Sequence, residues 1–296
     1  MLPNFIIGGT LPAGTGHLYG LLQQHPDIYL APPMQPECNF FFKTGEFEKG
    51  IAYYEERWFS GVRGERAIGE RSSLMLFGDW AARRVAEHLP DVRIIFLLRN
   101  PVDRAYANYR FTALSGYETL TFEEALESEE RRISEAKQRG TFWGEIQPHA
   151  YFSRGLYADM LAAYTDVLPA ENILVMRSDE LLKDQQNALR KVFGFLGVDD
   201  TFQADDFAEF SSPSVLDVQV QARLRTEHPD TFDAAVQRIR SGAPAETELD
   251  HAMRANIADG YEKLSSEMKA ELSERYRVAN ERLRPMVSFA LDDWLP

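Results

Sequence analysis

Cysteine is nearly absent from this sequence: Cys38 is the one thiol in 296 residues. That excludes an intramolecular disulfide and suits a reducing compartment. Long apolar runs are missing as well, so no segment approaches the roughly 20 residues of a membrane-spanning helix. The N-terminus lacks the basic flank and apolar core of a secretory signal. A cytoplasmic protein without a membrane span is the expectation. Basic charge is also in short supply, with 32 Lys and Arg against 46 Asp and Glu, a formal net charge of −14 and a pI near 5.0. Such a surface disfavours nucleic acid as a partner. Neither internal repeats nor low-complexity tracts occur. What remains is ordinary for a folded domain, 44% hydrophobic and 12% aromatic, and long enough to bury a full core. A single domain over 1–296 is expected, with an α/β core to residue 198 and a mostly helical extension from 199 to 296.

The positive charge is concentrated. From Arg57 to Arg110 there are ten arginines and six acids, a local balance of about +4 in an acidic chain. Most of these arginines read as solvated residues paired with neighbouring acids, but the excess points to an anion held nearby.

The opening stretch carries the strongest signal. Ile6 and Ile7 lie in a short apolar run bounded by glycines, which predicts a buried strand. Helical spacing begins at Leu18, Leu21 and Leu22. Between them, Gly8-Gly9-Thr10-Leu11-Pro12-Ala13-Gly14-Thr15-Gly16-His17 forms a strand-to-helix turn that aims backbone N–H groups and a helix N-terminus at one place, an anion site. It is not a nucleotide-hydrolysing loop of the form G-x-x-x-x-G-K-[ST], because Thr15 and Gly16 stand where the lysine and the metal-binding hydroxyl belong. It is not a dinucleotide fingerprint either, because Tyr19 replaces the third glycine.

Further along, prolines 32, 33 and 36 hold the chain extended ahead of Glu37. A carboxylate between that segment and Phe40-Phe41-Phe42 is partly desolvated, which suits it to general-base work; a surface or capping glutamate is the plainer reading. Ala67 to Glu70 predicts a short strand and Gly78 to Leu89 a helix. Arg93 to Leu98 predicts a central parallel strand, apolar except at its start. It ends in Arg99-Asn100-Pro101, with Pro101 opening a helix and no acid to hold a metal. Thr121 to Glu124 is a capping box. Asn172 to Met176 predicts a third buried strand, and Asp184 to Leu196 a helix. From Asp199 to Ser212 acids occur without Lys or Arg. Strands alternating with helices give a mostly parallel sheet flanked by helices.

These motifs, in this order, resemble the sulfotransferases that use 3′-phosphoadenosine 5′-phosphosulfate (PAPS), in particular the bacterial branch similar to heparan-type sulfotransferase domains. Phe5 through Tyr19 and His25-Pro26 are similar to that family's 5′-phosphosulfate loop. Pro36-Glu37-Cys38-Asn39-Phe40-Phe41 is similar to its Lys-Glu-x-x-Phe-Phe segment, and Gly69-Glu70-Arg71-Ser72-Ser73 to a stretch near the acceptor pocket. Arg93 through Tyr109, centred on Leu98 to Tyr106, is similar to the 3′-phosphate motif, and Arg154-Gly155-Leu156-Tyr157 and Phe195-Leu196-Gly197-Val198 also fall in place. The resemblance implies the phosphate-loop-type sulfotransferase fold and transfer of a sulfuryl group from PAPS, leaving PAP. The acceptor would be a hydroxyl or amine on a small molecule, sugar or lipid. It implies that Ala13, Gly14, Thr15, Gly16 and His17 cradle the phosphosulfate, that Arg99 with Arg154 holds the 3′-phosphate, and that Glu37 is the base, with no metal.

The departures are specific. Pro12 stands where the family has a lysine that stabilises charge on the oxygen bridging phosphorus and sulfur. Ala107 replaces the 3′-phosphate serine, and Pro36 a second lysine. Losing one preorganised charge-stabilising group costs about 3–4 kcal/mol of transition-state stabilisation, out of about 8–23 kcal/mol that enzymes supply. His17, Lys43 and Arg71 are the candidate replacements, His17 by sequence proximity. The alternative expectation is a sulfotransferase-like protein that binds nucleotide or a partner without turnover.

Overall fold

The apolar runs at Phe5–Gly9 (β1) and Arg93–Leu98 (β4) become strands covered on both faces. In the computed structural model, described for residues 1–139, 148–207, 212–258 and 263–296, they join β2 (Ile28–Leu30), β3 (Ala67–Ser72) and β5 (Ile173–Arg177) in one sheet. The strand order is β2-β3-β1-β4-β5, and every neighbouring pair is parallel.

The chain forms two compact units. One comprises residues 1–100, 156–208 and 277–295; the other comprises 101–155, 209–276 and 296. The helical C-terminal region expected from residue 199 is present and contributes to both. Residues 208–211 of the acidic stretch lie outside the described residues.

In the first unit the strand period of two sorts side chains between two cores. Phe5 and Ile7 of β1, with Ile95 and Leu97 of β4, pack on helix Thr15–Leu22 (α1) and helix Gln185–Leu196 through Leu18, Leu21, Leu189 and Phe193. Ile6, Ile94, Phe96 and Leu98 face the other way, onto helices Ile51–Phe59, Asp79–His88 and Tyr157–Thr165 through Tyr54, Trp58, Val85 and Tyr164. Cover on both faces is why β4 shows no polar alternation. The chain's last residues join the second of these cores. Trp294 is buried there, Asn280 Nδ2 donates to its carbonyl at 2.8 Å, and Arg177 donates twice to the Asp293 carboxylate, each at 2.6 Å.

The second unit is helical: Pro101–Leu114, Phe122–Arg139, Val218–Glu227, Phe232–Arg240, Glu248–Ala255 and the start of Ser266–Leu283. Leu114, Phe232, Val236, Ile239 and Met253 form an apolar core. The capping box at Thr121 forms, with Thr121 N donating to Glu124 Oε2 at 2.9 Å. Buried Glu118 takes both terminal nitrogens of Arg132 and the hydroxyl of Tyr151. Against the cost of burial, His149, whose Nδ1 lies 3.3 Å from Oε2, together with these donors holds the Glu118 carboxyl far below the usual range.

Because all five strands are parallel, their C-terminal ends share one edge of the sheet. β1 lies centrally, with Gly8 opposite Ser72 of β3 on one side and Phe96 of β4 on the other. That edge is where ligands of open α/β sheets bind.

Candidate functional site

β1 ends at Gly9, and five residues later α1 begins. Gly14, at φ 80°, is the N-cap in the left-handed region, which glycine enters without a Cβ penalty. No side chain caps α1, and no acid lies in its first turn. The first N–H groups of a helix lack intrahelical partners. Here the N–H groups of Ala13, Gly14, Thr15, Gly16 and His17 donate to no described residue. Two buried side-chain atoms nearby share that condition, Thr10 Oγ1 and His17 Nε2. Leaving such an atom unpaired costs about 1–3 kcal/mol. The set therefore fits an anionic ligand such as a phosphosulfate at the positive end of α1. The loop supplies no ammonium or guanidinium, since the sequence has no Lys or Arg before Lys43.

Glu37 is held at the same edge. Its side chain is 9% exposed. Oε2 accepts from Ser73 N at 2.8 Å, Ser73 Oγ at 2.6 Å and Asn39 Nδ2 at 3.3 Å, while Oε1 lies 3.2 Å from Arg71 Nη2. Ser73 directly follows β3, whose last residue Ser72 pairs with Gly8, so Glu37 is anchored beside the strand that delivers the loop. On the other side Gly9 pairs with Leu97, and Arg99 leaves β4 two residues later. Arg99 is half-buried, its carbonyl accepts from Tyr157 Oη at 2.7 Å, and no described acid pairs with its guanidinium. The first unit thus brings residues 13–17, Glu37 and Arg99 to one edge. Ser178, just past β5, joins them: a Cβ on Gly14 would stand 3.8 Å from the Cβ of Ser178.

Arg154 belongs to the second unit, in the turn Ser153–Gly155. Its guanidinium is fully buried, and burial with the charge of Arg104 brings its pKa down to about 9, opposed by Glu129. Ala107 is buried on helix Pro101–Leu114 of the same unit. Lys43 is exposed at the N-cap of helix Thr44–Phe47.

Sequence reasoning placed Thr10 in the turn and, by resemblance, Glu70 and Ser73 near the acceptor pocket, but gave none of the three a role and did not foresee the burial of Glu70. Glu70 is fully buried, with Ser72 Oγ at 2.8 and 3.0 Å from its two oxygens and Tyr54 Oη at 3.5 Å. Burial pushes its carboxyl up to about 8, against the Ser72 hydrogen bonds and with the help of the Glu37 charge. The signal was the strand period: Glu70 and Ser72 share one face of β3, and Arg71 shares the other with Ser73.

A family model described as "Sulfotransferase domain" matches residues 68–277. β4, Arg99, Arg154 and all of β3 but Ala67 fall inside that match, and the loop and Glu37 precede it. A crystal structure of a sulfotransferase from Alicyclobacillus acidocaldarius matches at TM-score 0.61 and 32% identity, over 86% of this chain and 99% of that one. Heparan sulfate glucosamine 3-O-sulfotransferase 3B1 of Mus musculus is 28% identical over 202 residues, 67% of this chain and 46% of that protein. Heparan sulfate glucosamine 3-O-sulfotransferase 6 of the same organism is 25% identical over 254 residues, 81% of this chain and 68% of that protein. The chain spans about half the length of the first of these curated relatives.

Proposed function

This chain belongs to the sulfotransferase domain family, and from that premise we propose that it transfers a sulfuryl group from PAPS to an acceptor hydroxyl or amine, releasing PAP. The observation that carries this reading is the meeting, at one sheet edge, of unpaired N–H donors and a carboxylate held by Ser73. PAPS supplies the activated sulfuryl group. The N–H groups of residues 13–17 hold its 5′ end, with Thr10 Oγ1 and His17 Nε2 as further partners, and Arg99 holds the 3′-phosphate. Glu37 takes the acceptor's proton as the acceptor atom bonds to sulfur; the electron pair of the broken S–O bond leaves with the nucleotide. Ser73 and Arg71 orient that carboxylate. A base so placed contributes about 10²–10⁴ in rate.

The acceptor is carried by a small molecule, sugar or lipid. The mouse relatives are named for the glucosamine of heparan sulfate, so sugar hydroxyls are the first class to try. The net charge of −14 weighs against heavily sulfated glycans. A cytoplasmic setting suits the lone, buried Cys38.

Calorimetry with PAP, followed by an acceptor panel with PAPS, tests the reading. Submillimolar PAP affinity and sulfation of at least one acceptor are expected; absence of PAP binding at millimolar ligand overturns it. The loop without Lys or Arg favours a second reading, nucleotide binding without turnover, for which PAP binds and no acceptor on the panel is sulfated.

A further inference from the structure

Arg71 stands next to Glu70 on β3 but faces the opposite way. It pairs in register with Ile7, which packs against α1, whereas Glu70 pairs with Ile6 on the other face of the sheet. The Arg71 side chain is 7% exposed. One terminal nitrogen, Nη2, is committed, to the Met34 carbonyl at 2.7 Å and to Glu37 Oε1 at 3.2 Å. Nε is buried without a hydrogen-bond partner, and Nη1 makes no hydrogen bond to a described residue. Of the five N–H donors of a guanidinium, three are therefore uncommitted. They lie beside the carboxylate that takes the proton. They also lie near α1, since the Arg71 charge reaches the Tyr19 phenol, opposing the rise that burial causes there. Tyr19 sits one helical turn beyond Thr15.

We propose that Arg71 supplies, at the sulfuryl oxygens of the donor, the positive charge that the loop lacks. One side chain then does two things: Nη2 orients Glu37, and Nε with Nη1 meets the negative charge of the group being transferred. Arg71 forms no covalent bond and exchanges no proton in this role. The assignment rests on PAPS being the donor. It accounts for a phosphosulfate loop whose sequence contains neither Lys nor Arg, because the cation comes from the neighbouring strand.

The test is calorimetry with PAP and with PAPS on the wild type, Arg71→Met, Arg71→Lys and the double variant Glu37→Gln/Arg71→Met. PAPS carries the sulfuryl group and PAP does not, so the pair reads the contact without turnover. Arg71→Met is expected to weaken PAPS by about 10- to 100-fold, the scale of a lost hydrogen bond to a charged group, and to leave PAP within about threefold. Arg71→Lys recovers part of the loss. The double variant removes both members of the buried pair, so neither is left unpaired, and it shows the same selective loss. It decides the matter if Arg71→Met does not fold. Unchanged PAPS affinity in the Met variants, or equal loss for both nucleotides, overturns the assignment while leaving PAPS as donor. A wild type that binds neither nucleotide defeats the donor reading, and this assignment with it.

Discussion

At Glu37 the two carboxylate oxygens have different work. Oε2 is occupied by three donors and Oε1 by one nitrogen of Arg71. Glu37→Gln keeps the shape and removes the proposed base, so kcat is expected to fall by about 10²–10⁴ with PAP affinity within about threefold, measured by single-turnover kinetics and calorimetry. Ser73→Ala removes the 2.6 Å hydroxyl donor but keeps the backbone one; kcat should drop roughly tenfold, the scale of one hydrogen bond to a charged group, with KM little changed. Glu70 gives a stability prediction of opposite character. Its folded-state pKa of about 8 lies above the ~4.3 of an unfolded glutamate. The folded state therefore holds the proton more tightly, and stability is lost as pH rises between about 4 and 8, by up to ~1.4 kcal/mol per pH unit. Glu70→Gln removes that loss. Its Tm advantage over the wild type should grow from pH 5 to pH 8 and then level off; a constant difference across that range contradicts the assignment.

At the scale of elements, the loop and α1 act as one piece. Gly14→Ala has 3.8 Å of room toward Ser178 but must hold φ 80°, which costs an L-residue about 1–2 kcal/mol. A lower Tm and weaker PAP binding are expected together, because relaxing that angle re-aims the first N–H groups of α1. The strand-turn-helix was legible in the sequence because glycine spacing and a switch from period 2 to period 3.6 are local signals. β4 was legible for the same reason, and Pro101 opens its helix as expected. β3 was less so. All six of its residues are buried, yet the sequence predicted the strand only to Glu70 and carried no local sign that Glu70, Arg71 and Ser72 are buried. Their partners come from far along the chain: Tyr54 for Glu70, Met34 and Glu37 for Arg71. No local pattern carries such pairings.

At the scale of the whole molecule, the sequence showed strands alternating with helices, but not the order β2-β3-β1-β4-β5 that places β1 between β3 and β4. That order follows from which faces pack together, and it is what sets Glu37 and Arg99 on either side of the loop. The division into units was equally hidden, because each is assembled from separated stretches of chain. Residues 277–295 belong with the unit that residues 1–100 begin. Trp294, 1% exposed, packs near Tyr157 and Phe289, and Arg177 lies over its ring. Trp294→Ala is expected to cost about 3–5 kcal/mol, read as a shifted denaturant midpoint.

The crowding of Oε2 by Ser73 and Asn39 has a stereochemical consequence. With that atom's lone pairs taken, the proposed transfer has an incoming alcohol surrender its hydrogen only to Oε1, and so only from one quarter. Two epimers of a ring alcohol, alike in acidity and size, present that hydrogen in different directions. Under the proposed reaction, one hand of the carbinol carbon should therefore be sulfated far faster than the other.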